Sequence, residues 1–131
     1  MASVRISSNQ SRYGQDVSIR QFQLMADEPT SNGGNDAGPT PFEWILAGLG
    51  SCQAMTIKMY AERKGWKLET VVVDLSHAVQ DHQHIIQVEL GLMGDLDDAQ
   101  RQRLLAIAGR CPVHQLLTTS AEIHTQLHNQ G

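Results

Sequence analysis

The residue types with the most distinctive chemistry in this chain are two cysteines, at positions 52 and 111. A thiolate that attacks a peroxide becomes a sulfenic acid, and condensation with a nearby thiol then protects it from irreversible over-oxidation. Two cysteines are too few to build a disulfide scaffold, and a chain of 131 residues does not need one. With no third cysteine, a bond between positions 52 and 111 is the only intramolecular disulfide available. In a cytosolic protein such a bond is usually transient and catalytic. This chemistry calls for no metal and no cofactor. The plainer reading of Cys52 is a small hydrophobic core residue. A structural zinc site is a further use of the same residues: Cys111-Pro112-Val113-His114 has a C-x-x-H spacing, and Cys52 with His77, His82 or His84 could complete four ligands. That fragment is short and common, and His82 and His84 fall in a polar turn where solvated histidines need no other reason, so the redox reading is preferred.

Each cysteine belongs to a helical segment. Thr40, Pro41 and Glu43 form a capping-box pattern with proline at the first helical position, and the helix they start runs to Lys64, where Gly65 and Trp66 can close it. From Trp44 to Ile57 it carries no charge, so burial on more than one face is expected. Ala47, Gly48, Gly50, Ser51 and Ala54 crowd around Cys52, and each glycine sacrifices about 1 kcal/mol of helix propensity. Glycines inside a helix point to close approach by another helix or a ligand. Asp97 with Gln100 starts a second helix that ends at Cys111, and Pro112 breaks or restarts it ahead of a short helical turn, Val113 to Leu117.

Alternating apolar residues predict strands elsewhere. Val4–Ser7 and Asp16–Leu24 form two antiparallel strands joined near Tyr13-Gly14, with a bulge suggested where the step from Ile19 to Phe22 breaks the alternation. Val71–Val79 and Ile85–Met93 form a hairpin with its turn at 80–84, and Ala121–Leu127 makes a last strand. The segment 27–39 is a long loop rich in turn formers, of the kind that is often functional or mobile. This order of elements is α+β, in one domain spanning 1–131. A formal charge of −4 with scattered Lys and Arg argues against nucleic acid as a partner, and no apolar run reaches the length of a membrane span. The expectation is a cytoplasmic, unprocessed protein.

Several blocks resemble the OsmC-like family, which includes organic hydroperoxide resistance proteins. They are Ala26-Asp27-Glu28-Pro29, Gly33-Gly34, Gly38 to Glu43, Leu46 to Cys52, Met55-Thr56 and Tyr60 to Trp66, followed by Gly94 to Asp97 and Arg110 to His114. The resemblance spans nearly the whole chain, with both cysteine blocks in order. It implies antiparallel sheets wrapped around long central helices in an intertwined homodimer, with thiol sites between subunits. It also implies reduction of organic hydroperoxides, with an external thiol reductant, a small dithiol or lipoyl-type group, completing the cycle. By position, Cys52 matches the peroxidatic cysteine, Cys111 the resolving cysteine and Glu43 the accompanying glutamate. An arginine belongs to that site as well; Arg20 is assigned to it from an N-terminal strand, in competition with Arg5, Arg12 and Arg110. Physically, a mid-helix cysteine gains little from the helix dipole, so a guanidinium is the partner its thiolate needs.

Nine residues separate Glu43 from Cys52, which on one helix places them on opposite faces and about 13 Å apart. Glu43 therefore either reaches the cysteine of a partner chain or serves only as the capping residue. An apolar wall expected from Trp44, Leu49, Met55 and the Leu116-Leu117 region would favour alkyl peroxides over hydrogen peroxide. The non-enzymatic alternative is a dimeric module that binds a lipid-like small molecule in the same cleft.

Overall fold

The computed structural model describes residues 1–128, in two compact units. One comprises Met1–Gly48 with His77–Ile85; the other comprises Leu49–Ser76 with the described residues from Ile86 onward.

The first unit opens with an antiparallel meander of three strands, β1 (Arg5–Ser8), β2 (Gln15–Ile19) and β3 (Phe22–Ala26). Val17 pairs with Ile6 on one side and Leu24 on the other, and it is the buried member of the set. The broken alternation after Ile19 is a chain reversal, not a bulge. Ile19 pairs with Phe22, leaving Arg20 and Gln21 as a two-residue turn, with Arg20 at φ 52°. Tight hairpins require a left-handed residue there.

Beyond β3 the long loop is tied down by one carboxylate. Asp27 is buried and accepts backbone N–H groups from Glu28 (2.7 Å), Asn35 (3.3 Å) and Ala37 (3.2 Å), while its own N–H donates to Pro39 O at 3.1 Å. Burial alone would raise its pKa; the three amides outweigh that and hold the carboxyl below the usual range. Gly34 abuts the carbonyl of Glu28 where a side chain would clash. The loop thus delivers Thr40 to the start of α1 (Pro41–Lys64).

The expected capping box is present: the Thr40 N–H donates to Glu43 Oε1 (2.8 Å) and the Glu43 N–H to Thr40 Oγ1 (3.2 Å). At the other end Gly65 adopts φ 68°, the Trp66 N–H donates to Ala61 O, and the Gly65 N–H to Glu62 O, a Schellman closure. The rings of Trp66 and Tyr60 meet edge to face at 5.6 Å.

β4 (Lys67–Gln80) and β5 (Gln83–Asp95) form a long two-stranded sheet. Its turn is tighter than the expected five residues: Asp81 (φ 50°) and His82 (φ 66°) alone reverse the chain, the both-positive pattern that matches strand twist. α2 (Asp98–Ala108) carries the capping box of Asp97 and Gln100. Arg101 donates to the carbonyls of Leu92 (2.6 Å), Gly94 (3.2 Å) and Leu96 (3.3 Å), fixing the entry to α2.

The core of the second unit joins Ile57 and Ala61 of α1 to Leu104, Ile107 and Ala108 of α2, with Trp66, Leu68, Val71, Leu90, Leu92 and Leu96 packed around them. Gly50 lets α1 lie close to β4, since a Cβ there would sit 2.6 Å from Leu75 Cδ1. α3 (Pro112–Thr118) follows. The expected strand at Ala121–Leu127 does not form: the segment is exposed and carries no strand pairing among the described residues. Alternation makes a strand possible, but only a neighbour's backbone makes it one. Sheets followed and interleaved by helices give the α+β architecture expected from the sequence.

Candidate thiol site

Cys52 sits mid-way along α1 and is half-buried; Cys111 is completely buried. Cys111 does not end α2, as the sequence suggested. It caps α3, where its Sγ accepts the His114 N–H at 3.2 Å and Pro112 occupies the first turn. Both thiols are free, and Cys52 lies close enough to Cys111 to act on its ionisation. Burial is the main reason that the Cys111 pKa is raised, and the neighbouring Cys52 raises it further, while the amides of His114 and Val113 pull the other way and lose. The pair therefore consists of one partly accessible sulfur and one sealed sulfur that holds its proton.

The helix around Cys52 is divided by exposure. Leu49, Gly50, Gln53, Ile57 and Ala61 are buried, whereas Ile45, Gly48, Met55 and Met59, which lie on the Cys52 side at helical spacing, are exposed. A Cβ on Gly48 would meet nothing within 4 Å. Of the expected apolar wall, Leu49 is core, while Met55, Leu116 and Leu117 are exposed. Trp44 buries its ring N–H without a partner.

Glu43 and Arg20 belong to the first unit, and each is engaged locally. Glu43 is exposed and makes the two capping-box bonds. Arg20, assigned to a strand from the sequence, lies in the β2–β3 turn with its guanidinium 5.1 Å from the Phe22 ring centre. Among its rivals, Arg12 stacks on Tyr13 at 4.9 Å, and Arg110 directly precedes Cys111.

Three groupings escaped the sequence reading. Gln53, next to Cys52, is buried with its Oε1 unpartnered, and an uncharged glutamine gives no sequence signal for that. Phe42 stacks on His77 at 4.4 Å, and His77 Nε2 lies 2.9 Å from His84 Nδ1. Had diagonal positions across the strands been compared, these two histidines would have been paired with each other and not with a zinc ion. Among the described residues, no three His, Cys, Asp or Glu are grouped to hold a metal ion. The third is Tyr60, whose hydroxyl accepts the Arg103 Nε–H at 2.9 Å.

The OsmC-like protein family matches residues 33–126, which takes in both cysteines and the elements that carry them. The chain belongs to this family. An OsmC-like protein of Mycoplasma pneumoniae superposes with a TM-score of 0.78 at 17% identity, covering 89% of this chain and 86% of that one. The organic hydroperoxide resistance protein OsmC of Legionella pneumophila gives 0.67 at 18%, covering 90% and 89%. The organic hydroperoxide resistance protein OhrB of Bacillus subtilis gives 0.63 at 18%, covering 90% of each chain. At such identities the likeness is one of fold. No curated protein matches the sequence. No helix among the described residues is long and apolar enough to cross a membrane.

Proposed function

We propose that this OsmC-like protein is a thiol-dependent peroxidase that reduces organic hydroperoxides. The observation that carries the reading is the proximity of a half-buried Cys52 to a fully buried Cys111, whose pKa is raised by burial and by that neighbour. Similarity in fold to proteins named for organic hydroperoxide resistance supports it.

In this reading the Cys52 thiolate attacks the terminal oxygen of ROOH, the O–O bond breaks, and the alkoxide leaves as ROH after taking a proton. Cys52 is then a sulfenic acid. Cys111 attacks it, forming the S–S bond and releasing water, with the Cys111 proton completing that water. An external dithiol, small or lipoyl-type, restores both thiols by exchange and is itself oxidised to a disulfide. The mechanism draws on no metal and no cofactor. Arg20 is proposed as the guanidinium that favours the thiolate, oriented by Glu43 through a two-point contact.

We place the site in a homodimer, residues 1–131 forming one OsmC-like domain per chain in the cytoplasm. The exposed, uncharged face of α1 containing Ile45, Gly48, Met55 and Met59 supports a second copy as its cover. In that arrangement Glu43 serves the cysteine of the partner chain, since one continuous helix separates it from its own by about 13 Å.

Reduced protein should consume an alkyl hydroperoxide with loss of both thiols, and Cys52→Ser should abolish the reaction. Cys111→Ser should permit one turnover and leave Cys52 as a sulfenic or higher acid, read by intact mass. Full activity in Cys52→Ser would defeat the proposal.

A further inference from the structure

The tip of the β4–β5 hairpin carries a grouping that the thiol chemistry does not use. Asp81 and His82 alone reverse the chain there, so the two strands hold His77 and His84 at diagonal positions on one face. Their rings lie nearly parallel, 20° apart in plane with centres 5.1 Å apart, and His77 Nε2 stands 2.9 Å from His84 Nδ1. Phe42, in the first turn of α1, stacks on His77 at 4.4 Å and 11° and backs His84 at 6.1 Å. All three residues belong to the first unit. Among the described residues neither imidazole makes a further hydrogen bond, so both rings are held in place by one shared bond and one stacked phenyl.

The distance between the two nitrogens suits a metal as well as a proton. With metal–nitrogen bonds of about 2.0–2.1 Å, two ligands at a right angle stand about 2.9 Å apart, whereas two at the tetrahedral angle stand about 3.3 Å apart. The pair matches neighbouring corners of a square, the arrangement that copper(II) and nickel(II) take with nitrogen ligands, and is short for tetrahedral zinc. We infer that His77 and His84 form a two-imidazole site for a tetragonal divalent metal, copper(II) ahead of nickel(II) and zinc, with water in the remaining positions. When the metal enters, the ring that donated the shared hydrogen bond carries its proton on its outer nitrogen instead. His77 Nε2 and His84 Nδ1 then each present a lone pair, and each ring turns about its bond to Cβ to aim it. The site is independent of the peroxidase reading.

Copper(II) chloride is titrated by calorimetry into protein carrying Cys52→Ser and Cys111→Ser, which removes the thiols as competing ligands. One copper should bind per chain, with a tetragonal electron paramagnetic resonance spectrum that shows two imidazole nitrogens. His77→Gln and His84→Gln should each weaken binding about tenfold or more, because either change leaves one ligand without its chelating partner. His124→Gln should leave it unaltered, although His124 lies 3.1 Å from Glu122 and is another pairing of metal-ligating groups. In the parent protein, with both thiols in place, substoichiometric nickel(II) should shift or broaden the ring-proton resonances of His77 and His84 before those of the other histidines. Uniform broadening of all six histidines, copper binding that survives the loss of His77, or zinc bound as tightly as copper would overturn the site.

Discussion

Cys52 and Cys111 are chemically the same group, and their surroundings make them different reagents. Cys111 is sealed and its pKa is raised chiefly by burial, so it should resist alkylation at neutral pH, while iodoacetamide should modify Cys52 once per chain. Peptide mapping checks this; a first adduct on Cys111 would contradict it. The same shift has a sign in stability. A native pKa above the unfolded value of about 8.5 means that the folded state binds the proton more tightly. Its contribution is complete below that pH and is lost as pH rises through the native value. Cys111→Ser should therefore flatten the alkaline fall in melting temperature, since serine keeps a cap for α3 but does not titrate there. The two cysteines stood out in the sequence as candidates because thiol chemistry resides in the residue type. The placing of the arginine was not legible there, because a guanidinium on a long side chain is positioned by tertiary contacts: Arg20, expected on a strand, stands in the β2–β3 turn beside Phe22. The buried, unpartnered Oε1 of Gln53 was invisible for the same reason.

Among the elements, those specified by neighbouring residues were read well. The capping boxes at Thr40/Glu43 and Asp97/Gln100 and the Gly65 closure are complete within a turn, so the boundaries they set could be read without knowing the fold. Strand limits depend on partners. The phase break at Ile19–Phe22 was compatible with a bulge until pairing made it a reversal, and the alternation from Ala121 to Leu127 found no backbone to pair with. The first capping box also allows the two candidate roles of Glu43 to be separated. Thr40→Ala should destabilise the protein by about 1 kcal/mol. Glu43→Gln can keep the reciprocal bond, so its melting temperature should stay nearer to that of the parent while the peroxide rate falls. An unchanged rate would reduce Glu43 to a capping residue.

For the whole molecule, the exposed face of α1 is the feature with the widest consequence. Met55 and Met59 are 59% and 61% exposed on a helix whose central stretch is uncharged, a costly surface to leave in water. Replacing both with glutamate should convert a dimer to a folded monomer in sedimentation experiments, with the far-ultraviolet spectrum retained and peroxide turnover lost. A parent protein that sediments as a monomer would refute the dimer. The core described above also has a bearing on how the chain comes into being. The hairpin turning at Asp81 and His82 is local in sequence and can zip early, whereas the packing of α2 on Ile57 and Ala61 joins distant segments and comes late. Cys52 is synthesised well before Cys111, so under the proposed mechanism it is, until that packing is complete, a nucleophile without its guard. Under oxidative stress the newborn chain, rather than the mature one, is where irreversible damage should fall.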